Sequence, residues 1–205
     1  MPLESSLNQC RCWLACLLLL CVAACSASGD PVQAPPAPPP PVAVEDPSKV
    51  VWNAEPGGLQ VVITSSGDLN LRDNIPLGLT LCLLQMEDKN NFDSLSQTAE
   101  GLETLQECSP AKAGAVTARE IAMQPGQSRV LVLDRAEKAK FLGVVAGYAH
   151  LEPAQSVAVF PFLMYQEESG WIPMMTTTMY RAAPMDIFVQ LGASSLRVNG
   201  ATREQ

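Results

Sequence analysis

From Val50 onward, apolar residues fall into short runs rich in β-branched side chains, separated by Gly, Pro, Asn, Asp and Ser. Such runs predict strands bounded by turns. Residues 59–64, 77–86, 115–123 and 129–133 read as the first four. Gln124-Pro125-Gly126-Gln127, between the third and fourth, has the residues a tight turn wants. Residues 141–149 read as a fifth strand, with Gly143 and Gly147 marking close packing or a bulge. Residues 156–165, 176–181 and 185–191 follow, and 196–198 read as a last short strand. Many short strands at this spacing predict an all-β sandwich. One segment breaks the pattern. In residues 91–108, Phe92, Leu95, Ala99 and Leu102 recur at helical spacing. This predicts a short helical insertion, split in two at Gly101 and capped by Asn90 or Asn91, with its apolar stripe packed on the sandwich.

The N-terminal pattern is different. Residues 13–24 (WLACLLLLCVAA) form an apolar run of twelve. A bilayer span needs about 17–25 such residues, so the run reads as the apolar core of a signal peptide. It ends in Val22-Ala23-Ala24-Cys25, which resembles the bacterial lipobox. Small residues there let a signal peptidase grip an extended backbone, and the cysteine thiol takes the lipid. Cys25 is therefore the expected lipidation site, and three acyl chains on it would anchor the chain firmly. Ser26 follows in place of the aspartate that retains lipoproteins in the inner membrane, which favours the outer membrane. Residues 31–47 hold eight prolines in seventeen positions. That composition favours polyproline II and forms no core. The expected division is thus a signal peptide over 1–24, an acylated cysteine and Pro-rich tether over 25–49, and a folded domain over 50–205.

Composition narrows the chemistry. The formal net charge is −8, and the basic residues are interspersed with acids, so nucleic acid is an unsuitable partner. Five of seven cysteines lie at or before Cys25. Cys82 and Cys108 remain, and an even pair in an oxidising compartment reads as one disulfide; two buried thiols are the alternative. His150 is the one histidine, which leaves no zinc-protease motif, and no nucleophile elbow is present. It is expected at a solvated strand end. Glu45-Asp46 and Glu167-Glu168 read as solvated charges. Met174, Met175, Met179 and Met185 lack nearby copper-binding partners and read as packing. No metal, no cofactor and no enzymatic activity are expected.

Four stretches then carry a resemblance. Residues 59–70 (LQVVITSSGDLN), residues 75–86 (IPLGLTLCLLQM) followed by Asn91-Phe92, the run Met123-Gln124-Pro125-Gly126-Gln127, and residues 141–148 (FLGVVAGY) stand in order. Their order and spacing are similar to the type VI secretion lipoprotein family TssJ (SciN), over roughly residues 59–191. Leu84-Gln85-Met86 departs from the family's usual aromatic-Gln-Leu. The resemblance implies a transthyretin-like antiparallel β-sandwich with a short helical insertion. It implies a place on the inner leaflet of the outer membrane, lipid-anchored and facing the periplasm. It also implies a partner, the periplasmic C-terminal domain of TssM, within a TssJ-TssL-TssM complex. The contact is expected in the loop between the first two strands, residues 66–76, through Asp68, Leu69, Asn70, Leu71, Arg72, Asp73 and Ile75. In the alternative reading of that loop, its leucines fold back over the sandwich end. The alternative functions are a periplasmic ligand-binding or carrier lipoprotein, or a cell-wall hydrolase.

Overall fold

The computed structural model describes residues 42–170 and 176–203. Cys25, the signal segment, most of the expected tether, Met174 and Met175 lie outside the described residues. The strands are β1 (Glu55–Ser65), β2 (Leu79–Met86), β3 (Thr117–Met123), β4 (Ser128–Arg135), β5 (Phe141–Ala146), β6 (Val157–Pro161), β7 (Met164–Ser169), β8 (Thr177–Ala182), β9 (Met185–Leu191) and β10 (Leu196–Thr202). Short helices α1 (Asn90–Leu95), α2 (Ala99–Gln106) and α3 (Pro110–Ala113) follow β2, and α4 (Pro153–Ser156) precedes β6. Sheet I runs β10-β9-β1-β4 and sheet II runs β3-β2-β5-β6, with β7 and β8 as a separate hairpin.

Alternation builds the sandwich. Leu59, Val61 and Ile63 of β1 and Met185, Ile187 and Val189 of β9 are fully buried, because a strand turns every second side chain to the same face. They meet Leu81, Leu83, Leu142 and Val144 from sheet II in one core. Strand β2 departs from alternation and is buried at seven of its eight positions. The reason is a third layer. Cys82, Leu84 and Met86 on its other face pack with Phe92, Leu102 and Leu105 of the helices. Gly143 is needed there: a Cβ would stand 2.7 Å from the Phe92 ring. At one corner β10 meets β6, where a Cβ on Gly200 would lie 2.6 Å from Phe160.

Several details differ from the sequence reading. The pair β1–β9 is parallel, so the sandwich is not wholly antiparallel. The expected strand over 156–165 is two strands, because Phe162 turns into the core and its N–H bonds Lys140 O at 2.8 Å. Gly101 does not divide the helices. The break falls at residues 96–98, where Thr98 Oγ1 accepts from Gly101 N at 3.1 Å and caps α2. Gly101 is required because a Cβ would sit 2.0 Å from Leu95 O. Neither Asn90 nor Asn91 caps α1; Asp88 Oδ1 accepts from Asn90 N at 2.6 Å instead. The folded part also begins before Val50. Val44 exchanges backbone hydrogen bonds with Tyr180 at 2.9 and 2.7 Å, and a 3-10 turn over Pro47–Lys49 leads into Val50, itself buried.

Cys82 of β2 and Cys108, just after α2, are joined as a disulfide with Cα atoms 5.6 Å apart. The bond ties the helical layer to sheet II across 26 residues. Loop-closure entropy for that length gives about 3–4 kcal/mol. Replacing both cysteines by alanine should therefore lower the melting temperature by roughly 10 °C. Mass spectrometry of unreduced, alkylated protein checks the bond directly: two alkylated thiols at these positions would rule it out.

Candidate functional site

The β1–β2 loop is a built structure rather than a slack connection. Ser66 N, Asn70 N and Leu71 N donate to Leu191 O, Gly192 O and Ala193 O at 2.8, 3.3 and 2.9 Å. Three bonds thus stitch the loop to the β9–β10 turn. Asn70 is left-handed at φ 49°, a conformation asparagine tolerates better than most residues. Its side chain donates to Gly78 O at 3.1 Å and accepts from Ala149 N at 2.7 Å. The loop is thereby locked to the chain leaving β5. Beyond Asn70, Arg72 and Ile75 exchange backbone hydrogen bonds at 3.0 and 2.8 Å. Asp73 and Asn74 between them are both left-handed, at φ 51° and 61°. That is the signature of a two-residue type I′ hairpin, which Asn and Asp favour among non-glycine residues.

The seven expected contact residues separate. Leu69 is 0% exposed and belongs to the sandwich core, and Asn70 is 5% exposed. The structure places both in the packing of the loop rather than at its exposed tip. Leu69 covers the sandwich end, and its carbonyl accepts from Leu77 N at 3.0 Å. Leu71 and Ile75 are exposed at 41% and 60%, and Leu77, which the sequence reading did not single out, at 36%. Asp68 is exposed. Arg72 and Asp73 are largely exposed and lie 3.8 Å apart, a pairing worth little in water. The tip thus offers apolar side chains and free charges on a rigid turn. Beside it, Leu71, Arg72, Ala149 and His150 line a hollow of about 200 Å³. His150 is solvated, as its position predicts, with Glu152 3.7 Å away. Tyr148, next to this end, is buried, and burial pushes its hydroxyl up to about 12, partly offset by the Gly192 backbone.

The opposite end of β1 carries the incoming chain. Trp52 O accepts from Lys138 N at 2.6 Å, and the Trp52 ring packs near Phe162 and over the Arg135 guanidinium. Arg135 is 2% exposed. Its Nη1 donates to Ala183 O at 3.0 Å, and its Nη2 lies 2.7 Å from Glu55 Oε2. The Glu55 contact is short enough for an ion pair but off hydrogen-bonding angles, since Glu55 Oε2 and Arg135 Nε both lack a hydrogen-bond partner. Burial lowers the Arg135 pKa, and the Glu55 carboxylate opposes that shift. Sequence reading counted Arg135 only among basic residues interspersed with acids; its spacing, two residues beyond Leu133 and four beyond Leu131 on the inward face of β4, was the signal that could have found it. Outside sheet II an open groove of about 590 Å³ runs past Thr80, Gln106, Glu120 and Gln124. The sandwich interior itself is filled by side chains.

A helix-backed β-sandwich, strapped at one end and carrying a rigid exposed hairpin at the other, is a small domain of transthyretin-like architecture. The chain belongs to the type VI secretion lipoprotein family (VasD, EvfM, TssJ), whose model matches residues 58–191. The fold is similar to that of the T6SS lipoprotein TssJ1 from Pseudomonas aeruginosa, with a TM-score of 0.51 at 16% identity over 74% of this chain and 98% of that one. It is similar to Serratia marcescens Lip, a membrane-bound component of the type VI secretion system, with a TM-score of 0.51 at 16% identity over 69% and 96%. No curated protein sequence matches the chain.

Proposed function

We propose that this chain is a non-catalytic adaptor of the type VI secretion membrane complex. Acylated at Cys25, it sits on the inner leaflet of the outer membrane and faces the periplasm. It binds the periplasmic C-terminal domain of TssM in a TssJ-TssL-TssM assembly. The observation that carries this reading is the polarity of β1. The strand receives the N-terminal strap at Glu55 and delivers the exposed hairpin after Ser65. Eleven strand residues at about 3.3 Å each separate the two ends by roughly 35 Å. An anchor on one end leaves the apolar tip, Leu71, Ile75 and Leu77, pointing away from it. Apolar side chains at an interface centre carry more binding energy than charges at its rim.

The test compares variants of that tip. Leu71→Asp or Ile75→Asp should lose about a hundredfold in affinity for a TssM periplasmic fragment, because a carboxylate buried without a partner costs a few kcal/mol. Asp73→Ala should lose much less. Melting temperatures should stay at the wild-type value for all three, since these side chains lie outside the core. Wild-type affinity in well-folded Leu71→Asp and Ile75→Asp would move the interface elsewhere. For the anchor, Cys25→Ser should abolish incorporation of labelled palmitate.

A further inference from the structure

Among the described residues, the helical layer covers the outside of sheet II, whereas nothing packs over Phe188, Val130 and Val132 on the outside of sheet I. An antiparallel sheet facing water normally alternates apolar side chains inward with polar ones outward. Sheet I breaks this from β9 across β1 to its β4 edge. The register places Phe188, Val62 and Val130 side by side across β9, β1 and β4, and Val132 follows on β4. Phe188 is 43% exposed, Val130 60% and Val132 65%.

We propose that this face packs against the same face of a second copy of this chain. Charge is the first argument. At a net charge of −8, two copies approach only where free carboxylates are missing. Little net charge sits on this face: Asp186 pairs with Arg203 at 2.7 Å, and the charge of Asp134, which accepts from Gly57 N at 2.8 Å, is matched by the exposed Arg197 of β10. The second argument is orientation. A two-fold axis along the strands brings the two faces together about 10 Å apart, as in stacked sheets. It keeps both N-terminal straps at one end and both hairpin tips at the other. Pairing the β4 edges antiparallel would instead invert one copy, sending the two straps in opposite directions. The third argument is size. Four strands with about four facing residues each, at roughly 32 Å² per residue, cover on the order of 500 Å² per copy, below the roughly 800 Å² per partner of a standard interface. The pair is therefore weak in dilute solution and forms where copies are held together, as on a common membrane.

Cross-linking tests the face. Val130→Cys and, as a control, the exposed outer-face position Thr80→Cys are made in the full chain. Each is treated with a short bismaleimide in membranes from expressing cells, at matched protein density. Val130→Cys should give a dimer of this chain at least tenfold faster than Thr80→Cys. Adding Val132→Glu should return that rate to the control level without changing the melting temperature. Flotation with the membranes, measured alongside, reports on the lipid anchor separately. Were the protein found in the soluble fraction, the same comparison would be run on that fraction after concentration. Equal rates for Val130→Cys and Thr80→Cys, or adducts of Val130→Cys only with other proteins, would overturn the proposal.

Discussion

Leu69→Asp should leave the domain unfolded at 25 °C, although Leu71→Asp, two residues away, should not. Leu69 is 0% exposed and packs within the sandwich core. Truncating a buried leucine alone costs about 2–5 kcal/mol. The carboxylate adds its own desolvation, with no cation beside it, since the buried Arg135 lies level with Glu55 at the opposite end of β1. Together these approach the 5–15 kcal/mol that holds a typical domain together. The consequence for mapping the interface is direct: loss of partner binding in Leu69→Asp reports unfolding, and only Leu71, Ile75 and Leu77 report contact. Near-ultraviolet circular dichroism and thermal melting of the two aspartate variants check this. A Leu69→Asp protein that melted within a few degrees of wild type would show that the loop end opens readily, and that Leu69 is available to a partner after all.

The contrast between Leu69 and Leu71 also marks how far the sequence can be read. Period-two patterning places β1, β3, β4 and β9 to within a few residues, because each has a buried face that fixes its phase, and an unbroken apolar run places β2. The helical spacing of Phe92, Leu95 and Leu102 signals the third layer, and β2's unbroken apolar run is its echo on the sheet. What patterning misses depends on distant partners. Leu69 is buried because Asn70 ties the loop to Ala149, 79 residues on, and because Leu71 N–H bonds Ala193. Nothing local distinguishes it from Leu71. Gly101 reads as a helix breaker when taken alone, yet its role is to let the Leu95 carbonyl approach. The parallel pairing of β1 with β9 joins residues more than a hundred positions apart and leaves no periodic trace. At the hairpin tip the signal was present: Asp73-Asn74 is turn chemistry for a type I′ hairpin, and it would have separated Arg72 to Ile75 from the residues that anchor them.

The other large effect is expected where a charge is hidden. Glu55→Ala should cost about 3–5 kcal/mol, because it strands a guanidinium in the core without its counter-ion. Arg135→Met should cost less. The two partners are unequally buried: the Arg135 side chain is 2% exposed and that of Glu55 23%. Removing the arginine leaves a carboxylate that water still reaches, and methionine fills much of the vacated space beneath Trp52. Removing the glutamate leaves a charge that water does not reach, held only by Ala183 O and the face of the Trp52 ring. The double variant, Glu55→Ala with Arg135→Met, should therefore be more stable than Glu55→Ala alone, since a buried ion pair is often replaceable by apolar groups. Denaturant midpoints for the four proteins give the order directly, and Trp52 provides a local fluorescence probe. The strap explains why the arrangement matters. Arg135 reaches from β4 to Trp52 on the incoming chain and to Ala183 before β9, so it pins the N-terminal segment to the sandwich at the end opposite the hairpin. Equal losses in the two single variants would contradict this account, because they would mean that both charges are equally hydrated and the guanidinium is not the buried partner.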